Sequence, residues 1–207
     1  NESTDETRQV LEPYIASGLV EYTYFPGQKR QLAAYDDCFE RHRLDTRWLA
    51  VIDLDEFIVP VKDKSIPDFL RRMEQFAVVE INWLVYGSSG AKTKEPGDVM
   101  QRFRHHSLPD HRLNTHVKSI ADPRRVCTMT GCHEAARLSG RAADPHGRPI
   151  TKHFGDRKPQ QDVIRINHYA IKSYEEFLGK RARGRARTTN MRDMGYFNRY
   201  DLNDIEE

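Results

Sequence analysis

The sequence has 207 residues, of which 38% are hydrophobic and 31% are charged, and its net charge is +2 at pH 7. This length and composition predict one folded domain with a substantial core and exclude an intrinsically disordered chain. The near-neutral balance excludes a protein that binds nucleic acid through its overall charge. No apolar run approaches the ~18 residues that a membrane span requires.

The first predicted element is an amphipathic helix in the opening 18 residues. Ser3 or Asp5 is its candidate N-cap, and Gly18 is the expected stop. A chain that opens at Asn1 on a helix cap indicates a fragment. We therefore expect the domain to lack an earlier strand-helix unit.

Strands and helices then alternate along the chain. Strands are predicted within residues 19–25, 48–60 and 77–86, and helices within 31–43 and 65–76, with Ser65 as the cap of the second helix. This order favours an α/β fold in which helices flank a largely parallel central sheet.

The pattern is less regular over residues 91–159, which are rich in His, Arg, Pro and Gly. Short strands are predicted there within 97–103, 115–120 and 124–129. A strand from residue 162 onwards then leads into a helix, which Ser173 and Glu176 begin with a capping box.

Three acids, Asp53, Asp55 and Glu56, follow the apolar segment "WLAVI" directly. Side chains two apart on a strand share a face, so Asp53 and Asp55 are predicted to point to one spot while Leu54 faces the protein. In open α/β sheets ligands bind beyond the carboxyl ends of the strands. Two carboxylates there suit Mg²⁺ or Mn²⁺. The alternative is a strand that ends in solvent.

Two enzyme classes share this acidic pattern. In haloacid-dehalogenase-like phosphatases the first Asp is the nucleophile and the second is the acid, but Glu56 and Phe57 depart from the small residue and Thr or Val that usually follow. The other class is the nucleotide-sugar glycosyltransferases, which have an Asp-x-Asp motif. A non-catalytic interaction domain on the same fold is a third possibility.

Three segments in order, "WLAVIDLDEFIVP", "INWLVYGSSG" and "INHYAIKSYEEFLGKRARGRA", resemble the bacterial glycosyltransferase family 2-like group related to glycosyltransferase family 92. The resemblance covers nearly the whole chain. It implies one GT-A-like domain over residues 1–207 that binds a nucleotide sugar through Mn²⁺ or Mg²⁺. It also implies an inverting transfer to a glycan or surface-polymer acceptor, with a UDP-sugar as the expected donor.

The resemblance assigns roles around the metal and the donor. Asp53 would lie near the ribose or the metal shell, Asp55 would ligate the ion, and His168 would complete the site, with His133 as the alternative. The expected diphosphate-binding cations are Lys172, Lys180 and Arg183.

The acceptor side and the catalytic base are assigned less directly. The turn that lines the sugar and acceptor pocket would contain Trp83, Tyr86, Gly87 and Gly90. Inversion needs a base within hydrogen-bonding reach of the acceptor hydroxyl. Glu134 is the first candidate for this base, and Glu95 and Asp98 are the alternatives.

Other patterns are interpreted without a function. The cysteines Cys127 and Cys132 with His133 lack the fourth ligand and the spacing of a zinc site. Arg185 and Arg187 are interpreted as a solvated basic face, because the basic run has no interleaved aromatics to stack nucleic-acid bases. A cytoplasmic location, including the inner face of a membrane, is expected.

Overall fold

The structure is a computed structural model, and it describes residues 3–27, 29–184 and 191–207. Its helices are α1 (Thr7–Ala16), α2 (Gln31–Arg41), α3 (Ile66–Arg71), α4 (Val99–Arg102), α5 (Tyr174–Ala182) and α6 (Met194–Tyr200), with 3₁₀ turns at Arg112–Thr115 and Phe154–Asp156. Its strands are β1 (Leu49–Ala50), β2 (Glu56–Pro60), β3 (Val78–Val85), β4 (His105–His106), β5 (Val117–Ala121), β6 (Val126–Met129), β7 (Ala135–Arg137), β8 (Ala142–Ala143), β9 (Ile164–His168) and β10 (Ile205–Glu206).

The central sheet is mixed, so the prediction of a largely parallel sheet is wrong. Its strand order is β1-β5-β3-β9-β2, and β8 also pairs with β3. β3 runs parallel to β9 and β8 but antiparallel to β5, and both outer strands are antiparallel to their neighbours. Parallel neighbours need a long crossover, usually helical. The connection from β3 to β5 contains the one-turn helix α4, the two-residue strand β4 and a 3₁₀ turn, and the chain returns antiparallel.

Two helix caps agree with the sequence prediction, and two short predicted strands do not. The predicted caps of two helices are confirmed: Ser65 Oγ accepts from the Asp68 amide at 3.2 Å, and Ser173 and Glu176 form the capping box of α5. Residues 19–25 contain no strand, and residues 97–103 contain α4 in place of the predicted strand. Those two segments are short and lie outside the central sheet, so alternation alone does not make them strands.

The core forms around β3, all of whose residues are buried. Phe69 of α3, Phe177 of α5 and Phe197 of α6 share one apolar cluster with Ile81 of β3 and Ile166 of β9. The helices therefore hold β3 and β9 as a rigid pair. The carboxyl ends of these two parallel strands lie side by side, because Val85 is paired with His168.

The segment between β1 and β2 crosses this end of the sheet. β1 and β2 are consecutive in the chain but occupy opposite edges of the sheet. Val51 still bonds to Ser119 of β5, while Glu56 is already paired with His168 of β9. Residues 51–55 must therefore pass over the ends of β5, β3 and β9, and they bring the two aspartates to that place.

Candidate active site

The Asp53–Asp55 segment is a turn rather than the end of a strand. The Asp53 amide donates to Glu56 Oε2 at 3.0 Å, and the Glu56 amide donates to the Asp53 carbonyl at 3.0 Å. The Tyr169 amide fixes the far end by donating to the Asp55 carbonyl at 2.8 Å. Leu54 stands at the tip with 98% of its surface exposed. The prediction that Leu54 faces the protein is wrong, because a turn does not have the alternation of a strand.

Asp53 is held by side chains from two elements. Lys118 of β5 donates to its Oδ2 at 2.8 Å. On the other oxygen, Gln31 and Tyr35 of α2 donate to Oδ1 at 3.2 and 3.3 Å. The Asp53 side chain is nevertheless 38% exposed, so its carboxylate is both fixed and accessible to a ligand.

Lys118 and Glu56 are the buried side chains that lie beneath Asp53. The Lys118 side chain is 1% exposed, and its ammonium lies 3.4 Å from Glu56 Oε2. Burial raises the pKa of Glu56 to about 8 although Lys118 opposes the shift. Burial alone would lower the pKa of Lys118, but Glu56 and Asp53 outweigh it, and that pKa lies above its ordinary value. The ammonium is therefore charged, and its nearest acceptor is the Asp53 carboxylate.

Asp55 has a different set of partners. Lys180 of α5 donates to its Oδ2 and also to the Ala170 carbonyl at 2.7 Å. His168 Nε2 lies 3.9 Å from Asp55 Oδ1. Burial acts to raise the pKa of Asp55, but His168 and Lys180 outweigh it and the pKa lies below its ordinary value. Asp55 is therefore ionised at neutral pH.

His168 is packed within an aromatic cluster. Its ring centroid lies 4.0 Å from that of Trp83, which also contacts His116 and His133. Burial lowers the pKa of His168 to about 3, so the ring is neutral at neutral pH. Its Nδ1 is buried and has no hydrogen-bond partner among the described residues. A neutral imidazole is the form that ligates metals.

A cleft of about 650 Å³ opens beside Asp55. It is bounded by the turn at Leu54, by residues 169–172 after β9, and by one face of α5. Its cationic lining residues are Lys94, Lys172, Lys180 and Arg183. Of these, only Lys180 is in a salt bridge with another described residue. Lys172 has a φ of 58°, a left-handed conformation that is uncommon for lysine and concentrates at functional sites.

The donor atoms fit a divalent ion in part. Two ligands about 2.1 Å from one octahedral ion lie about 3.0 Å apart when adjacent and about 4.2 Å apart when opposite. Asp55 Oδ1 and His168 Nε2 are 3.9 Å apart, so a small movement would let them bind one ion from opposite sides. The role of Asp53 in the metal shell stays a prediction, and in the structure Lys118, Gln31 and Tyr35 donate to its oxygens. In the described part of the chain, no group of three or more His, Cys, Asp or Glu side chains could hold a metal. An ion here would need oxygen atoms from its substrate.

None of the three candidate bases lines the cleft. Glu134 lies 3.6 Å from His153, measured from Oε2 to Nε2. Glu95 accepts from the Thr93 hydroxyl and directly follows Lys94, which does line the cleft. Asp98 precedes α4. Their roles stay predictions.

The predicted acceptor turn packs against residues 201–207. A Cβ added at Gly87 would lie 2.5 Å from the Leu202 carbonyl oxygen and 2.3 Å from Asn203 Oδ1. The Tyr86 hydroxyl donates to Glu207, and Gly90 has a φ of 74° with open space around it. The close approach at Gly87 is therefore to the chain itself.

The sequence reasoning missed several residues at this end of the sheet: Gln31, Tyr35, Lys94 and Lys118. The sequence did indicate Lys118, because it is a lysine within the otherwise uncharged strand "VKSIA". Lysine is almost never fully buried unless it is paired. Arg185 and Arg187, interpreted as a solvated face, lie outside the described residues. None of the described helices combines the length and the apolar character needed to cross a bilayer.

Comparison with known proteins gives consistent matches. The sequence model of glycosyltransferase family 92 matches residues 1–207. Galactan beta-1,4-galactosyltransferase GALS2 of Arabidopsis thaliana is 29% identical over 67% of this chain and 29% of its own length. Galactan beta-1,4-galactosyltransferase GALS3 of the same plant is 32% identical over 37% of this chain and 17% of its own length. The chain thus spans less than a third of either relative.

Proposed function

Since the chain belongs to glycosyltransferase family 92, we propose that it transfers a sugar from a nucleotide-sugar donor to a glycan acceptor, with a GT-A-like site that uses Mn²⁺ or Mg²⁺. The observation that supports this proposal best is the position of Asp55, Lys180 and His168 at the end of parallel strands and beside a cationic cleft. The phosphatase alternative gains no support from the reported matches, which are to glycosyltransferases.

The charge of the cleft suits a nucleoside diphosphate. Lys94, Lys172 and Arg183 form no salt bridge with another described residue, so they can face a ligand. The acids of the cleft are engaged: Glu176 is paired with Arg102, and Glu175 accepts from the Lys94 amide at 2.7 Å. An anionic group that enters the cleft therefore meets cations without displacing existing ion pairs.

Asp55 and His168 are the residues that would hold the divalent ion. When bound, the ion supplies positive charge to the departing diphosphate as a Lewis acid. Asp55 is ionised and His168 is neutral, which are the states that a ligand needs. Lys180, already beside Asp55, would add a second cation at the diphosphate.

The donor and the stereochemistry follow from analogy. The named relatives are galactosyltransferases, so a UDP-hexose, with UDP-galactose first, is the proposed donor. Transfer with inversion requires a base beside the acceptor hydroxyl. Glu134 is proposed, with Glu95 and Asp98 as alternatives, and Glu95 has the advantage of following Lys94.

Titration calorimetry of UDP with and without Mn²⁺ tests the binding step. We expect UDP to bind in the presence of Mn²⁺, and EDTA to weaken binding. Release of UDP from UDP-galactose, assayed with galactan oligosaccharides, tests the transfer. UDP binding without turnover by any candidate donor would favour the non-catalytic alternative, and failure to bind UDP under either condition would contradict the proposed site.

A further inference from the structure

Lys118 is the most completely buried cation at the site. Its side chain is 1% exposed, and it ends between the carboxylates of Asp53, at 2.8 Å, and Glu56, at 3.4 Å. Glu56 is equally buried, and its Oε1 has no hydrogen-bond partner among the described residues. This cluster therefore places a charged ammonium and a carboxyl group in the interior without satisfying all their hydrogen bonds.

Such an arrangement is not explained by stability. Charges lose solvation when they are buried, and their mutual attraction often fails to repay that loss, so apolar replacement of a whole buried ion pair is often neutral or stabilising. An unsatisfied carboxyl oxygen adds to the cost. The exposed edge of the cluster is Asp53, which lies in the same turn as the cleft-lining residues Leu54 and Asp55. This suggests that the benefit of the cluster lies in ligand binding.

We propose that Lys118 is a positioning residue that fixes the carboxylate of Asp53 for ligand binding. Lys118 occupies Oδ2 of Asp53, while Gln31 and Tyr35 hold Oδ1. The carboxylate is thereby prevented from rotating, and its exposed part presents a fixed acceptor to a hydroxyl group of the donor. This inference rests on the proposed function, because it assumes a nucleotide-sugar ligand.

Glu56 contributes to the same arrangement from below. Its side chain accepts from the Asp53 amide at 3.0 Å, and its own amide donates to the Asp53 carbonyl. Lys118 and Glu56 thus hold both the side chain and the backbone of Asp53. Removal of Lys118 alone would leave Glu56 buried without a cation, so an informative variant must neutralise both residues.

The test compares three variants of the whole chain by thermal unfolding and by calorimetry with UDP and Mn²⁺. Lys118→Met/Glu56→Gln removes the buried charges but keeps Asp53. Glu56→Gln alone keeps the Lys118–Asp53 pair. Glu80→Gln/Arg157→Met is the matched control, because it removes another buried ion pair of β3 that does not contact Asp53.

If Lys118 is a positioning residue, Lys118→Met/Glu56→Gln folds with an unchanged or higher melting temperature and binds UDP roughly 10-fold more weakly, as expected for loss of a group that orients a ligand-binding side chain. Glu56→Gln keeps an oxygen that can accept from the Asp53 amide, so it loses less UDP affinity than Lys118→Met/Glu56→Gln, and the control double variant binds UDP like the wild type. In an Asp53→Asn background Lys118→Met adds no further loss, because Lys118 acts through the Asp53 carboxylate.

Three outcomes would overturn the inference. Wild-type affinity in Lys118→Met/Glu56→Gln shows that Asp53 needs no fixing. Unfolding of that variant, or an equal loss of affinity in the control, shows a structural role. Failure of the wild type itself to bind UDP overturns the proposed function first and the inference with it, and this result is distinct from a loss confined to the variant.

Discussion

The two aspartates of the Asp53–Asp55 turn are separated by one residue but belong to different environments. Asp53 is tied to the sheet and to α2, and its cation Lys118 is 1% exposed. Asp55 borders the cleft, and its cation Lys180 is 19% exposed. The Asp53 side chain is the more exposed of the two, at 38% against 17%, so the difference lies in their partners. Asp53 is tied to the interior framework, and Asp55 to a cation of the cleft that can exchange partners with a ligand.

This difference changes the meaning of the acidic cluster. Adjacent acids were expected to repel one another until a metal ion joined them. In the structure each aspartate has its own lysine, and the two carboxylates do not converge on one point. We infer that Asp55 is the aspartate available to a metal ion, and that Asp53 is a fixed hydrogen-bond acceptor.

The largest effect is expected from Asp55→Asn. The amide removes the negative charge that would hold the ion, so transferase activity should fall by at least the ~10–100-fold that loss of a supporting group around a metal costs. Asparagine still accepts from Lys180, which also bonds to Ala170, so the stability should fall by only about 1 kcal/mol or less. Activity assays, Mn²⁺ titration and thermal unfolding measure these effects. Unchanged Mn²⁺ affinity would end the metal proposal for Asp55.

Lys180→Met should have the next largest effect. Methionine keeps much of the side-chain length but removes a cation beside the proposed diphosphate, so UDP affinity should fall roughly 10-fold. Mn²⁺ alone should bind as well or better, because Asp55 no longer has a competing cation. Calorimetry with each ligand separates the two effects.

Lys172→Met is the matched control for this prediction. Lys172 lines the same cleft but makes no salt bridge with a described residue. Its removal should weaken UDP binding less than Lys180→Met and leave Mn²⁺ binding unchanged. Equal behaviour of the two variants would contradict the special role that we give to Lys180.

Asp53→Asn should have the opposite pattern to Asp55→Asn, with a small effect on ligand binding and a larger effect on stability. Asparagine can still accept a hydrogen bond, so metal affinity should change little and UDP affinity only several-fold. Stability should fall by roughly 1–3 kcal/mol, because the buried Lys118 loses its charge-assisted bond. Urea unfolding of Asp53→Asn and Asp55→Asn compares their free energies of unfolding. A greater stability loss in Asp55→Asn than in Asp53→Asn would refute the division between framework and exchangeable surface.

The sequence was sufficient for features that depend on near neighbours. Ser65 and Ser173 cap helices as predicted, and the apolar run of β3 is the buried centre of the sheet. It was insufficient for the partner of Asp53, since Lys118 lies 65 positions away on a strand brought alongside by antiparallel pairing. The orientation of Leu54 was missed for a related reason: β1 ends at Ala50, and the following residues cross the sheet as a turn.

The smallest effect is expected at Glu176, which lies on the same helix as the partner of Asp55 and not beside Asp53. It lies on α5, the helix that contains Lys180, and it pairs with Arg102 and with the Ser173 cap. Burial acts to raise the pKa of Glu176, but Arg102 and Ser173 outweigh it, and the pKa lies below its ordinary value. The ionised form therefore stabilises the fold above the unfolded-state pKa of ~4.3, and this contribution disappears as the pH falls through the folded-state pKa.

Glu176→Gln should accordingly lower the stability at pH 7 by about 1 kcal/mol, the usual contribution of a helix cap, and by less at pH 3. Urea unfolding at pH 7, 5 and 3 measures the difference, with Glu95→Gln as an exposed carboxylate control. Because Lys180 is one turn further along α5, UDP affinity should fall slightly while the Lys118–Asp53 framework is unaffected. A stability difference that does not shrink at low pH would show that Glu176 acts through packing and not through its charge.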